Sequence, residues 1–155
     1  MMHAHDSRQI ANWFIRRSSS EGMPISIMKV LKLVYMAHGW CLAVLDRPLF
    51  PDYVEAWTYG PVVPAVYYAF RHDKTYNLSP FEMEEKPFEP NIEKLLDEVW
   101  DMYKLKSAIQ LSNLTHVKNG PWDKTYVGLK RNNGVIPNKM IQEHYRAKQE
   151  RAKSV

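Results

Sequence analysis

Residues 26–46 read SIMKVLKLVYMAHGWCLAVLD. On a helical wheel, Ile27, Leu31, Val34, Cys41 and Leu45 line one face, and Val30, Leu33, Ala37, Trp40 and Val44 line the adjoining one. Only Lys29, Lys32, Met36, Gly39 and Ala43 form a narrow small-or-polar strip. A helix apolar over most of its circumference is packed by neighbours on several sides, so this segment is expected at the centre of the fold. Gly39 costs about 1 kcal/mol relative to alanine in a helix interior, which points to another backbone approaching there.

Working outward, Asp6 followed by Gln9 reads as a capping box. It opens a helix with the stripe Ile10, Ala11, Phe14 and Ile15, and SSSEGMP (18–24) ends it. After the central helix, RPLFPDYVEAWTYG (47–60) carries two prolines, alternating bulky residues and a glycine. It predicts a short irregular β-hairpin or a pair of extended arms. Gly60-Pro61 is expected to turn the chain, and Pro64 to restart it as a helix bearing Val66, Tyr67 and Phe70.

The stretch 71–91 is polar and punctuated by prolines, a long surface connection. Asn91 is expected to cap a helix that buries Ile92, Leu95, Leu96, Val99 and Tyr103. Ser107 with Gln110 forms another capping box, ahead of Ala108, Leu111, Leu114 and Thr115, and Asn119-Gly120-Pro121 stops that helix. Residues 120–135 read as one helical turn followed by loop. Asn138 or a neighbour opens a last helix with Ile141 and Tyr145 facing inward. The fold class is therefore mainly α (α+β): a compact helical domain around a central apolar helix, with a small β-hairpin inserted after it. One domain spans 1–155, with an ordered core of about 6–147 and flexible termini.

Composition sets the class. A hydrophobic fraction of 45% and a charged fraction of 25% are ordinary for a soluble globular chain. The apolar run from Val30 to Leu45, interrupted by Lys32, His38 and Gly39, reads as too short and too polar for a bilayer, which needs roughly 20 apolar residues. The N-terminus MMHAHDSRQ lacks the pattern of a signal peptide, and the single cysteine, Cys41, allows no internal disulfide. A cytoplasmic protein without membrane attachment is expected. The net charge is +4, and much of the excess lies in 139–153, where Lys139, Arg146, Lys148, Arg151 and Lys153 stand against Glu143 and Glu150. Such a tail suits nucleic acid, an acidic protein patch or simply a solvated helix end.

Catalytic signatures are missing. The six glycines form neither a GxGxxG nor a GxxxxGK loop, and no HExxH or EF-hand pattern occurs. His3 and His5 sit at a terminus expected to be disordered. Cys41 reads as an inert small hydrophobe, His38 as a buried histidine donating to a backbone carbonyl, and His116 as a cation at a helix C-terminus. The carboxylates Glu82, Glu84 and Glu85, and Asp97, Glu98 and Asp101, read as solvated charge. No catalytic residue, metal or cofactor is expected, and the chain does not read as an enzyme. A hydrolase built on His116 and a carboxylate is one alternative. A nucleic-acid-binding regulator, suggested by the basic last helix alone, is another, with no specific nucleic acid expected. Five tryptophans and nine tyrosines remain. Such residues are enriched at binding hot spots, so a protein-partner surface leads.

Four phrases add a resemblance. KVLKLVYMAHGWCLA (29–43), PLFPDYVEAWTYGPVVPAVYYAF (48–70), LSNLTHVKNGPW (111–122) and VIPNKMIQEHY (135–145) resemble, in order, the Panacea domain. This is a family of phage- and mobile-element-associated bacterial proteins that includes SocA-like and GepA-like members. Leu31 departs from its pattern, which commonly carries Gln there, and Asn113 departs where an acidic residue is common. The resemblance implies a single Panacea-like domain acting as the antitoxin of a toxin–antitoxin pair. Its partner would be a cognate toxin encoded nearby and neutralised by direct contact. An adaptor that delivers the toxin to a cellular protease is the related alternative. The candidate toxin-binding residues are Trp57, Tyr59, Gly60, Pro61, Pro64, Tyr67, His116 and Trp122, with the rigid Gly60–Pro64 corner lowering the entropy cost of binding.

Overall fold

The computed structural model describes residues 5–73, 77–130 and 132–153. The described residues form six α-helices and a small sheet. The helices are α1 (Ser7–Ser20), α2 (Ile27–Leu45), α3 (Pro64–Phe70), α4 (Pro90–Tyr103), α5 (Ala108–Thr115) and α6 (Asn138–Lys153). The strands are β1 (Val54–Trp57), β2 (Gly60–Val62) and β3 (Gly134–Ile136), and a π-helical turn spans Asp123–Gly128.

The central helix is α2, as the apolar pattern requires, and it packs against α1, α4, α5 and α6. Ser26 caps it by accepting from the Lys29 N–H, and Asp46 ends it in the left-handed region. Its burial runs further round than the wheel implied. Lys32, Met36, Gly39 and Ala43 of the small-or-polar strip are all buried, while Val44 is exposed. The reasons are α6, which lies against Gly39 and Ala43, and the hairpin tip, which covers Lys32. Gly39 is approached by a side chain and not by a backbone: a Cβ there would collide with the ring of Tyr145. By length and composition α2 does reach what a membrane span needs, contrary to the reading above; most of it is buried inside the protein, as a core helix is.

Local capping agrees in part. Asp6 caps α1 by accepting from the Arg8 N–H, but Gln9 does not complete a box. Its amide instead brackets the backbone of Lys86, donating to the carbonyl and accepting from the N–H. Asn12 brackets Phe81 in the same way, at 2.9 and 2.6 Å. Two amides on α1 thus hold the 77–89 connection against the body and satisfy backbone groups that no sheet or helix serves. The next helix opens at Pro90, with Glu89 and not Asn91 at the cap position. The Ser107–Gln110 capping box is present in full.

The β element is larger than a hairpin. β1 pairs antiparallel with β2, and on its other side with β3, in the order β2-β1-β3. The short β3, Gly-Val-Ile, lies within what read as loop, because three residues carry too little period to register. Gly60 and Pro61 are strand residues paired with Trp57 and Ala56, so the turn is Thr58-Tyr59. Pro64 does open α3.

Candidate functional site

The hairpin tip is fixed from beneath. Gly60 sits at φ +121, a conformation side chains rarely allow, and a Cβ there would meet the Lys32 amine and the His116 ring. The Lys32 Nζ donates to the Tyr59 carbonyl at 2.8 Å. Lys32 is only 2% exposed, and burial pulls its amine down to about 8. The Tyr59 side chain points the other way and is 78% exposed.

On one flank, His116 ends α5 with its Nδ1–H donating to the Ser112 carbonyl at 2.6 Å. Its ring lies 4.2 Å from Trp122, which stacks on Tyr126 at 4.7 Å. The Trp122 indole N–H donates to the Trp57 carbonyl at 2.7 Å, and the Tyr126 hydroxyl lies 3.2 Å from the Thr58 hydroxyl. On the other flank, the Trp57 ring meets Tyr67 edge-on at 5.0 Å and Tyr68 at 6.5 Å, and its N–H donates to Glu55.

The eight candidates therefore gather on and around one hairpin, in unequal roles. Gly60, Pro61 and Trp122 are buried, and Trp57, Pro64, Tyr67 and His116 are half-buried. Only Tyr59 stands free in solvent. Lys32, Thr58, Tyr68 and Tyr126 complete the arrangement and were missed. Two of them carried a signal. Lys32 is followed at i+3 and i+4 by Tyr35 and Met36, a lysine inside an apolar surface. Tyr126 stands four residues after Trp122, the spacing that puts both on one helical face.

The chemically reactive groups lie elsewhere and are enclosed. Cys41 is fully buried, and burial pushes its thiol up to about 11. His38 is buried too, but it does not donate to a backbone carbonyl. Its Nδ1 accepts from the Leu49 N–H at 3.3 Å, and its Nε2–H donates to the side-chain amide oxygen of Asn138 at 2.9 Å. Burial holds it down to about 4. His5 is packed, not loose: its N–H donates to the Leu49 carbonyl and its ring meets Phe88 edge-on. His3 lies outside the described residues. Among the described residues no group of three or more His, Cys, Asp or Glu is placed to hold a metal ion. Of the carboxylates, Glu85 pairs with Arg16, Asp97 with Arg17 and Asp101 with Lys104.

The family description "Antitoxin SocA-like, Panacea domain" matches residues 30–123. Antitoxin SocA of Caulobacter vibrioides (strain NA1000 / CB15N) is 32% identical over 155 residues, covering 91% of this chain and 82% of that protein. This chain belongs to the SocA-like, Panacea-domain antitoxin family. No solved structure matches it. The Panacea match runs from α2 to the start of the π-helical turn and takes in all eight candidates and Lys32. It leaves out α1, β3 and α6, although α6 covers the Gly39 face of the central helix.

Proposed function

We propose that this Panacea-domain protein neutralises a cognate toxin by direct protein–protein binding, without catalysis, through the surface around the β1–β2 turn. One observation carries the reading. Tyr59 projects into solvent, 78% exposed, from a two-residue turn whose backbone is pinned by a buried lysine. Tyrosine is a preferred hot-spot residue, and a pinned turn has little conformational freedom left to lose on binding. The half-buried aromatics Trp57, Tyr67 and Tyr126 border it with amphipathic surface. Membership in an antitoxin family and the similarity to Antitoxin SocA of Caulobacter support the same role.

The toxin is taken to be encoded beside this chain and the pair to meet in the cytoplasm. The test is co-expression: the neighbouring small open reading frame is expressed alone, with this protein, and with its Tyr59→Ala variant, followed by co-purification. Growth arrest by the neighbour, relieved by this protein in a stable complex, is the expected result. Relief without a complex, or no arrest at all, removes the reading. Toxin levels measured alongside separate sequestration, which leaves them unchanged, from delivery to a protease, which lowers them.

A further inference from the structure

The basic residues near the C-terminus face different ways. Arg146 turns back to pair with Asp46 of the α2 cap at 3.0 Å, and Lys153 pairs with Glu150. Lys148 and Arg151 instead line a cleft of about 510 Å³ between α6 and the 114–124 segment, which contributes Lys118 and Lys124. Glu143 is the one carboxylate among the described lining residues, and none of the four cations is ion-paired to a described residue. The floor is apolar, with Leu114, Val117 and Met140. Burial first, then Lys148, Arg151 and Lys124, hold the His144 imidazole of this cleft down to about 4, so cations from two elements converge on one place.

We propose that this cleft docks an extended acidic segment of the protein partner, its carboxylates meeting Lys118, Lys124, Lys148 and Arg151 while an apolar side chain seats on Leu114, Val117 and Met140. The inference rests on the toxin-binding reading above. Three observations favour a peptide over other anions. A compact phosphate site draws on a helix N-terminus or a nest of backbone N–H groups, whereas these cations extend toward the C-terminal half of α6, where the dipole disfavours a single concentrated anion. No Phe, Tyr or Trp among the described residues lines the cleft, so nucleic-acid bases find no stacking platform. Positions 140, 144, 148 and 151 form one stripe on α6. It is about 16 Å long at the helical rise, the span of about five extended residues. The cleft also adjoins the hairpin surface, because the 120–126 segment turns Lys124 to the cleft and Trp122 and Tyr126 to the hairpin.

The test is an NMR titration of the full isotope-labelled chain with four probes. These are an acetylated Asp-Glu-Leu-Asp-Glu peptide, its uncharged Asn-Gln-Leu-Asn-Gln counterpart, inorganic phosphate and a single-stranded oligonucleotide. The acidic peptide is expected to shift the Lys124 and His144 resonances saturably. The double variant Lys148→Gln/Arg151→Gln, with its melting temperature checked, should bind the peptide at least about threefold more weakly, and Tyr59→Ala should bind it unchanged. Absence of a saturable shift overturns the inference, as does tighter binding of phosphate or oligonucleotide at the same resonances. Co-expression separates the two claims: a wild-type protein that rescues growth but ignores the peptide removes the cleft alone, while failure to rescue removes the antitoxin reading and leaves the peptide result standing.

Discussion

The Lys32 amine, buried within the central helix, holds the backbone carbonyl of Tyr59, 27 residues away at the hairpin tip, at 2.8 Å. One residue of the core thereby sets the position of the most exposed aromatic of the candidate surface. The link carries a cost, because an ammonium taken out of water favours its neutral form.

That cost predicts a pH dependence. In the folded protein Lys32 loses its proton near 8, and in the unfolded chain near 10.5. Between those values the unfolded state binds more protons, so stability rises with pH across this window, by up to about 3 kcal/mol. Lys32→Met abolishes the effect. In urea unfolding, the wild-type minus Lys32→Met difference should climb from pH 8 to pH 10, and a flat difference would show that the amine is not desolvated.

Tyr59 and Trp122 should separate binding from stability. Tyr59→Ala removes an exposed ring and is expected to leave the melting temperature unchanged while weakening toxin binding by about 2 kcal/mol, roughly thirtyfold. Trp122→Ala removes a buried ring that stacks on Tyr126 and bonds to Trp57, and should cost about 3–5 kcal/mol of stability. Calorimetry and a binding titration on both variants check the pair. A destabilised Tyr59→Ala would recast that ring as an anchor.

Gly39→Ala tests the α2–α6 packing. Helix propensity alone predicts a gain of about 1 kcal/mol. The added methyl collides with Tyr145, a ring 2% exposed and unable to swing away, so a net loss of about 1–3 kcal/mol is expected. Chemical denaturation reads the sign directly.

His38 should make the protein acid-sensitive. Its folded pKa lies near 4 against 6.5 for a free imidazole. Below 6.5 the unfolded chain takes up a proton that the folded protein refuses, so stability falls as pH drops toward 4, by up to about 3 kcal/mol. Histidine NMR should show a midpoint near 4 for this ring, and a midpoint above 6 would contradict its enclosure. Asp6 and Glu85, held below the usual carboxylate range by hydrogen bonds from Arg8 and Arg16, add to the same acid loss at lower pH.

Much of this protein is written locally. The 3.6-residue repeat of apolar side chains placed α2 at the centre, and the Ser107–Gln110 box and Pro64 marked helix starts, because each is decided by neighbours within one turn of the chain. The Panacea phrases likewise fell on the segments that carry the candidate surface. Other features depend on partners far along the chain, which no local pattern contains. The burial of Lys32 and Gly39 awaited the hairpin and α6. The pairing of β3 with β1 joins segments about 80 residues apart, and Gln9, read as part of a capping box, instead joins Asn12 in holding a distant connection. The sequence alone determined which segments are helical, which face of most of them is apolar and which family the chain resembles. Tertiary structure decided which aromatic stays in solvent and which cations converge on a cleft, since exposure and electrostatic fields are set by everything packed around a side chain and not by its place in the chain.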